Sequence, residues 1–526
     1  MSPSTEHAVA PIDSKSGHVL RAALVGLVAG LLAVGFRWAL AEGESGRARL
    51  LEWVRQQPES DYWGWVVLPL IGLGVGSLIG WTVVRFAPHA PGSGIPHVKG
   101  VLLHVREMKW KALLPVKFIG GVLGIGAGLS LGREGPTVQM GAAIGHAIAT
   151  ILRVPHRSVP QLISCGAGAG LAAAFNAPIA GFLFVIEELH RELSARTFAG
   201  ALVAALTADI IARALGGHLP SFHITGYPAI PLTALPAAVF IGVAGAGLAI
   251  AFNRAILSAS SASLRIRRIP RWLLPGIACA ICGLVAWWYP EVVGGGHAVA
   301  ERLLRGQLAW GALALCGLFV AKFALTTLCY ASGAPGGIFA PMLLLGAIAG
   351  AVLGIGLTAA FPSLGPHSTA FAILGMAAVF TGSVRAPLTG IILIVEMTAN
   401  YEQLLALGVT CLVADLTAGA FRDRPIYEAL LEADLRRNPP VADHTSTSSP
   451  ARTLYVGVQR GSKLDGRKIK EAGLPRACLV VGVERSGITL LPEAGMVLMP
   501  GDHLTVLIPE DRAECSLEVS RLATGI

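Results

Sequence analysis

Long apolar runs recur along most of the chain, separated by short polar segments or by glycine and proline. A helix needs about 20 apolar residues to span a hydrocarbon core of about 30 Å. We identify these runs as candidate membrane segments: Leu20–Leu40, Tyr62–Phe86, Leu113–Leu131, Val138–Leu152, Leu162–Ile186, Phe198–Leu215, Leu232–Leu257, Leu273–Trp288, Trp310–Tyr330, Phe339–Phe361, Phe371–Phe380, Leu388–Met397 and Leu404–Phe421. Several are too short to cross a bilayer, and such segments hold irregular backbone only where protein or a water-filled cavity shields it. The pattern predicts an all-α polytopic membrane protein with broken or re-entrant helices.

Composition and charge support this prediction. The chain is 53% hydrophobic and only 14% charged. Its formal net charge of +9 is modest for 526 residues, and the charges lie between apolar runs, so a nucleic-acid partner is not expected. Residues 1–19 form a polar tail without signal-peptide features, and we expect it to be cytoplasmic. Arg265, Arg267, Arg268 and Arg271 lie in one short loop, which favours the cytoplasmic side.

Motifs of enzymes and metal sites are missing from the sequence. We find no Ser/His/Asp set, no HExxH motif and no phosphate-binding P-loop. Cys279 and Cys282 have CxxC spacing, but they lie in an apolar run without a second Cys or His pair. We therefore expect no enzymatic activity, no metal site and no cofactor.

The most informative stretch is LGREGPTVQMGAAIG, residues 131–145, which places Arg133 and Glu134 inside apolar surroundings. A buried carboxylate should be neutral, paired, or in contact with a water- or ion-filled path. Gly135 permits close backbone approach, and Pro136 predicts a helix that begins immediately afterwards. Because helix N-termini bind anions, the stretch suggests an anion site with a protonatable lid. The alternative is a structural ion pair of Arg133 with Glu134, which has about equal weight because intramembrane charges are often paired.

Two further features bear on an anion path. GSGIP, residues 92–96, exposes the Ser93 hydroxyl and neighbouring amides between Gly92 and Gly94, which suits a dehydrated anion. Lys117 is a single lysine in an apolar stretch. It either snorkels to the membrane interface or places positive potential beneath the anion path.

The second half of the chain repeats this organisation. Residues 332–350, SGAPGGIFAPMLLLGAIAG, match residues 131–145, with a proline and two glycines at one constant spacing. Residues 384–397 match residues 175–188, in which an Asn-Ala-Pro break precedes a short helix that ends on carboxylates. More weakly, Gly294–Gly296 lies opposite GSGIP. Halves with broken helices in corresponding positions predict a binding site where they meet.

The repeat also sorts the carboxylates into two groups. Glu187 corresponds to Glu396, which indicates an architectural role for both. Glu188 lies opposite a methionine and Glu134 opposite Phe339, so these two glutamates are the better functional candidates.

GSGIP, GREGP and GGIFAP in this order, with FNAPIAGFLFVIEE between the last two, resemble the CLC family of chloride channels and chloride/proton antiporters. The resemblance covers roughly residues 20–430. It implies two inverted-topology repeats of tilted, partly broken helices, roughly residues 20–215 and 228–430. It also implies a homodimer with one pathway per subunit.

Roles for individual residues follow from the same resemblance. Ser93 and Tyr427 resemble the residues whose hydroxyls bind the central chloride, and Ile338 and Phe339 those whose backbone amides face the anion. Glu134 resembles the gating glutamate that competes with chloride and swings away when protonated. Glu188 resembles the inner glutamate that passes protons in the antiporters. Supporting positions in these motifs are Gly92, Gly94, Pro96, Lys117, Arg133, Gly135, Pro136, Gly337 and Pro341.

Serine in GSGIP is the residue of the chloride-type members, whereas proline there is associated with nitrate and methionine with fluoride. Two positions depart from the family pattern. His97 stands where relatives commonly carry an acidic residue, and RPIY, with Tyr427, replaces the commoner KPLY.

The end of the chain differs in composition from the rest. Residues 431–452 are charged and then rich in Ser, Thr and Pro, which predicts a linker. Residues 453–526 alternate short β-type runs with turns, which predicts a small cytoplasmic α+β domain. This segment resembles the C-terminal regulatory domain of TrkA and RCK proteins. The resemblance implies cytoplasmic ligand sensing and subunit pairing, and a dimerisation or stability module is the alternative.

The sequence thus predicts a chloride/proton antiporter in the inner (plasma) membrane, with both termini cytoplasmic and an unknown small ligand possible at the C-terminal domain. A passive chloride channel on the same scaffold is the main alternative. A membrane ligand sensor with a vestigial pore is disfavoured by the intact chloride motifs, and a potassium channel by the missing TVGYG-type filter.

Overall fold

The computed structural model of this chain describes residues 15–155, 158–190, 195–217, 222, 224, 230–266, 268–307, 310–362, 368–438, 451–475, 478–485, 488–509 and 514–525. Most of the predicted N-terminal tail, Arg267 and most of the predicted linker lie outside these residues.

The described part of residues 15–438 is almost entirely helical. Its first half contains α1 (Lys15–Arg55), α2 (Ser60–Tyr62), α3 (Leu68–Phe86), α4 (Ile95–Leu102), α5 (Trp110–Gly126), α6 (Glu134–Ile151), α7 (Val159–Phe175), α8 (Pro178–Phe184) and α9 (Ala195–Gly216). Its second half contains α10 (Leu235–Arg265), α11 (Leu274–Trp288), α12 (His297–Leu304), α13 (Ala312–Ala331), α14 (Phe339–Ala360), α15 (Ser368–Val384), α16 (Pro387–Thr398) and α17 (Leu404–Ala420). α18 (Ile426–Arg437) follows, so residues 431–437 of the predicted linker are helical.

Long and short helices alternate in this region. Among the described residues, 7 helices are long and apolar enough to cross a membrane. In contrast, α4 and α12 have 8 residues each and α8 has 7. The prediction of broken and partly spanning helices is confirmed.

The apolar run Leu162–Ile186 shows how a helix is broken. α7 ends at Phe175, Asn176 adopts a left-handed φ of 54°, and α8 begins at Pro178. Proline lacks an N–H group, so it is well suited to the first turn of a helix and costs a hydrogen bond in the interior. A π-helical turn, Val185–His190, then carries the two glutamates of this segment.

One predicted helix start was wrong by a few residues. α6 begins at Glu134 and not after Pro136. Pro136 lies in the first turn, where a missing N–H costs no hydrogen bond, so the helix can include it. Glu134 consequently sits at the helix N-terminus.

Glycines at corresponding positions pack the two halves in the same way. A Cβ added to Gly141 in α6 would collide with the carbonyl oxygen of Gly166 in α7. A Cβ added to Gly346 in α14 would collide with that of Gly375 in α15. Small residues let helix backbones approach closely within a membrane. The sequence repeat therefore corresponds to a repeat in helix packing.

The two halves also exchange equivalent polar contacts. Glu187 accepts hydrogen bonds of 3.0 and 2.6 Å from the first backbone N–H groups of α16. Glu396 accepts hydrogen bonds of 3.1 and 2.8 Å from the first backbone N–H groups of α8. Such a reciprocal exchange is what two-fold related elements produce. Both carboxylates act as helix caps, as the repeat predicted.

The C-terminal domain contains four strands and one helix, namely β1 (Ala451–Gly457), β2 (Leu479–Arg485), β3 (Ile488–Leu490), β4 (His503–Pro509) and α19 (Glu514–Thr524). The strands form one antiparallel sheet with the order β1-β4-β2-β3. Leucine, valine and isoleucine side chains of β1, β2 and β4 pack with Val519 and Ala523 of α19 in a separate core. The predicted α+β domain is confirmed.

A buried ion pair fixes one end of this sheet. Asp502 is 1% exposed and accepts hydrogen bonds of 2.7 Å from both Nε and Nη2 of Arg485. Burial raises the pKa of Asp502, but the hydrogen bonds from Arg485 and from the backbone N–H of Met499 outweigh burial and hold this pKa below its usual value.

Candidate anion and proton pathway

The three glycine-containing motif loops are joined by backbone hydrogen bonds. Gly92 N–H donates to Ala334 O at 3.0 Å, and Gly336 N–H donates to Gly92 O at 3.0 Å. Gly132 and Gly337 exchange two hydrogen bonds of 2.6 and 2.7 Å. These contacts bring the loop before α4, the loop before α6 and the loop before α14 together, although they are far apart in sequence.

As a result, the N-termini of α4, α6 and α14 meet in the interior. The first backbone N–H groups of a helix have no intrahelical partner and carry roughly half a positive charge. Ile338 precedes the first helical residue of α14, which is Phe339, and both are fully buried. Their backbone amides therefore belong to a helix end that can stabilise an anion.

Glycine is required where these loops touch. Gly94 has a φ of 80°, in the left-handed region that favours glycine. A Cβ on Gly135 would lie 2.8 Å from the Cα and the backbone oxygen of Ser93, and one on Gly337 would lie 3.0 Å from the backbone nitrogen of Gly135. Pro96, Pro136 and Pro341 lie in the first turns of α4, α6 and α14, which begin at Ile95, Glu134 and Phe339. The supporting motif residues thus shape the place where the helices meet.

Two hydroxyl groups are buried at this place. Ser93 Oγ and Tyr427 Oη have no hydrogen-bond partner among the described residues. Tyr427 comes from α18 and lies within electrostatic range of both Glu134 and Glu188. The hydroxyl of Tyr330 also lies at this loop, 2.9 Å from where a Cβ on Gly92 would be. A buried hydroxyl without a partner costs about 1–3 kcal/mol, so these groups fit an anion that accepts their hydrogen bonds.

Glu134 lies beside the N-terminus of α14. Its side chain is fully buried, and a Cβ on Gly132 would collide with its Oε2 and come 3.0 Å from the backbone nitrogen of Ala340. Oε2 has no hydrogen-bond partner among the described residues. A carboxylate here lies at a helix end that can also stabilise an anion.

The partner of Glu134 is a histidine that sequence reasoning missed. His297 Nε2 lies 2.7 Å from Glu134 Oε1, whereas Arg133 Nε lies 3.8 Å from that oxygen and makes no hydrogen bond within the described residues. The Arg133–Glu134 ion pair that the sequence suggested is therefore a longer contact, and the shorter contact of Glu134 is with His297. The weak match between Gly294–Gly296 and GSGIP was the available signal, because it places His297 at the start of the short helix that corresponds to α4.

Lys117 does not snorkel to the interface. It is fully buried, and its Nζ donates hydrogen bonds of 2.8 Å to Ala90 O and 2.7 Å to Gly92 O, directly behind the Ser93 loop. Lys322, which sequence reasoning missed, is equally buried and donates to Val292 O and Gly294 O. The repeat could have revealed Lys322, because it occupies the position of Lys117 in the second half.

Glu188 is fully buried in the π-helical turn after α8. It is distant from Glu134 in sequence, and the two carboxylates contact different residues. Lys99 Nζ of α4 donates a hydrogen bond of 2.7 Å to Glu188 Oε1, and both side chains are almost completely buried. Sequence reasoning did not identify Lys99, although a lysine in the short helix after GSGIP was visible.

His97, which departs from the family pattern, braces α4. Its Nε2 donates to Glu107 O at 3.1 Å, and its Nδ1 lies 3.1 Å from Gln139 Nε2 of α6. One ring nitrogen is thus used as a donor and the other as an acceptor, as in a neutral imidazole. Among the described residues, no cluster of three or more His, Cys, Asp and Glu side chains has the geometry of a metal site.

Fold and geometry together define a membrane transport protein of two related halves, with a candidate anion site where three helix N-termini meet. A family model described as voltage gated chloride channel matches residues 75–419, and a model of the TrkA-C domain matches residues 454–514. The chain belongs to the voltage-gated chloride channel (CLC) family and carries a TrkA-C domain.

Similar proteins are transporters by name. The H(+)/Cl(-) exchange transporter ClcA of Yersinia pestis bv. Antiqua (strain Angola) is 38% identical over 450 residues, which cover 82% of this chain and 91% of that protein. The ClcA of Vibrio parahaemolyticus serotype O3:K6 is 37% identical over 426 residues, which cover 80% and 90%. The crystal structure of a slow cyanobacterial Cl-/H+ antiporter has a TM-score of 0.76 and 34% identity, and the match covers 81% of this chain and 99% of that one.

Proposed function

We propose that this protein exchanges chloride for protons across the membrane. The proposal rests on the position of Glu134. This first residue of α6 lies beside the N-terminus of α14, where the loop that contains Ser93 and the other motif loops meet. A carboxylate that competes with chloride for one position links proton binding to anion binding, and such linkage is required for exchange.

Chloride is held by dipoles and hydroxyl groups in this proposal. Ser93, Tyr427 and the backbone amides at Ile338 and Phe339 donate hydrogen bonds to the anion. None of these groups is a full cation, so the anion binds without being trapped. Lys117 contributes positive potential from behind the Gly92–Ser93 loop while it holds that loop in place.

Protons move along a path that includes two glutamates. Glu134 takes up a proton, loses its charge and leaves the anion position, which chloride then enters. Glu188 passes protons towards the cytoplasmic side, with its carboxylate oriented by Lys99. Separate glutamates at the two ends let the proton path diverge from the chloride path on one side of the membrane.

The test is proton movement into liposomes that contain the purified protein while a chloride gradient drives chloride out, with the voltage clamped by an ionophore. The wild type should move protons uphill. Glu134→Ala and Glu188→Gln should both lose proton movement and keep chloride flux. Retained proton transport in either variant contradicts the role given to that residue.

A passive chloride channel is the second candidate, because a gating carboxylate alone suffices to control a channel. The names of the similar proteins favour the antiporter. Chloride flux without any proton movement in the wild type would establish the channel instead and return Glu188 to a structural role.

Four further assignments extend the proposal. The protein acts as a homodimer with one pathway per subunit in the inner (plasma) membrane. Both termini face the cytoplasm. The C-terminal domain, residues 453–526, senses a small ligand or pairs subunits. No catalytic reaction is assigned.

A further inference from the structure

His297 connects the buried gating glutamate with accessible space. Its Nε2 lies 2.7 Å from Glu134 Oε1. The side chain of Glu134 is 0% exposed, whereas that of His297 is 26% exposed. One end of the imidazole ring therefore touches the carboxylate while the ring itself remains partly accessible.

The fold holds this ring in place from several sides. Gly296 has a φ of 89° and turns the chain so that His297 begins α12. Lys322 fixes the preceding loop by donating a hydrogen bond of 2.6 Å to Gly294 O. Phe175 and Phe222 pack around the ring at centroid distances of 6.2 and 5.9 Å. An imidazole with so little freedom is positioned for one particular proton acceptor.

Few charged groups among the described residues lie near the pair, and Arg47 and Glu44 of α1 lie beside Gly294 in the loop that precedes His297. Arg133 at the start of α6 is 3.8 Å from the same carboxylate oxygen, and Lys322 of α13 lies behind the Gly294–Gly296 loop. On its own helix, the nearest carboxylate is Glu301, which forms an ion pair with Arg305. The neighbouring helices α7, α14 and α15 contain no Asp, Glu, Lys or Arg. Glu134 is therefore the acidic group to which His297 is directed.

We propose that His297 is a proton-transfer residue that delivers protons from the accessible space to Glu134. In the transfer step, the Nε2–H bond of the imidazolium breaks and an Oε1–H bond forms on Glu134. The product is a neutral imidazole that keeps its proton on Nδ1, together with a neutral carboxyl group. The neutral Glu134 leaves the anion position, and a hydronium ion from the accessible space then protonates Nε2 and becomes water. Without this transfer, the imidazole keeps the carboxylate in place by a charge-assisted hydrogen bond.

The test compares His297→Gln with the wild type in the liposome assay. Glutamine retains a hydrogen-bond donor but carries no titrating proton. We expect the initial rate of chloride-driven proton uptake to fall by about tenfold or more, because positioned proton-transfer groups contribute roughly 10²–10⁴-fold. In His297→Ala, free imidazole added to the bath should restore a part of the rate. A proton uptake rate in both variants that equals the wild-type rate overturns the proposal.

The same substitution in a protein that already carries Glu134→Gln separates an effect on proton transfer from a direct effect on chloride flux. In Glu134→Gln the gate carries no charge, so adding His297→Gln should leave chloride flux within about twofold of the single variant, as expected when one residue acts only through another. A slower chloride flux in the double variant than in Glu134→Gln overturns the proposal, because His297 would then act on the anion itself.

This inference rests on the proposed exchange function, and the two can fail separately. If the wild type moves no protons, the exchange function fails. If the wild type moves protons and His297→Gln moves them equally fast, only the role of His297 fails.

Discussion

At the scale of single residues, the buried charges of the candidate pathway have partners on other elements. Glu134 contacts His297, Glu188 contacts Lys99, and Lys117 contacts backbone carbonyl oxygens before α4. An isolated charge in a membrane interior is costly, so each charge is paired or hydrogen-bonded. The partners come from different segments and decide what each charge can do.

The Lys99–Glu188 pair gives a prediction at this scale. Lys99→Met removes the cation that donates a hydrogen bond to the buried carboxylate of Glu188, so we expect a loss of about 3–5 kcal/mol in the free energy of unfolding, as for other broken buried pairs. The loss should shrink as the pH falls, because protonation of Glu188 removes the buried negative charge. Thermal unfolding of the purified protein at several pH values measures this effect.

The matched control is the double variant Lys99→Met with Glu188→Gln, which removes both charges. It should recover most of the stability, because replacing both partners of a buried pair is often nearly neutral. A double variant as unstable as Lys99→Met alone would mean that the lysine stabilises the fold through its packing and not through Glu188.

At the scale of elements, helix N-termini organise the protein. Those of α4, α6 and α14 meet at the candidate anion site, whereas those of α8 and α16 are capped by Glu396 and Glu187. Helix N-termini thus serve two purposes. At α8 and α16 the negative charge beside them is a fixed carboxylate, and at the candidate anion site it is an exchangeable anion.

Glu187 and Glu396 provide the prediction for this scale. Each accepts two backbone hydrogen bonds, and Glu187 accepts a third from the Thr389 hydroxyl at 2.7 Å. Replacement of either glutamate by glutamine should lower stability by about 1–3 kcal/mol, with the larger effect for Glu187→Gln. Thr389→Val should remove most of this difference, and thermal unfolding provides the measurement.

Neither cap variant should change the ratio of protons to chloride moved in liposomes. This separates the caps from Glu188, the immediate neighbour of Glu187 in sequence. If Glu396→Gln abolished proton transport in a well-folded protein, helix capping would not account for the whole role of Glu396.

At the scale of the whole molecule, α18 connects the transport region with the C-terminal domain. Its first turn carries Tyr427, and Glu432 in its middle contacts Arg521 of α19. Leu517 of α19 packs against a cluster that includes Leu431 and Leu435 of the same helix. α18 is therefore the element that contacts α19 of the C-terminal domain and also carries Tyr427 at the candidate anion site.

Arg521 provides a prediction for this connection. Arg521→Ala removes an ion pair whose arginine is 38% exposed, worth about 1 kcal/mol or less, so hydrogen exchange in α19 should become faster by about two- to fivefold. Arg436→Ala is the matched control, because Arg436 is 74% exposed and lies 3.9 Å from Glu432. Exchange in α19 that is equally fast in both variants would show that Arg521 does not hold the domain in place.

The sequence predicted much of the fold and of the candidate site, for reasons that differ from residue to residue. Glycine and proline motifs predicted a loop at Ser93 and a helix start close to Glu134, because the conformational limits of these residue types are local. The start of α6 was missed because a helix can include proline in its first turn. Lys117 was left undecided between two environments, because its neighbours in sequence do not reveal the carbonyl groups that it contacts.

By itself, the sequence determined the membrane class, the broken helices, the repeat and the separate C-terminal domain, because periodicity, composition and motif order are properties of the chain. Only the tertiary structure decided that His297 contacts Glu134, that Lys99 contacts Glu188, and that α18 carries both Tyr427 and the contact with Arg521. The physical reason is that a buried charge requires a partner of opposite charge or a hydrogen-bonding group, which is a donor for a carboxylate and an acceptor for an ammonium group. The choice among candidates depends on which distant segments the packing brings within about 3 Å.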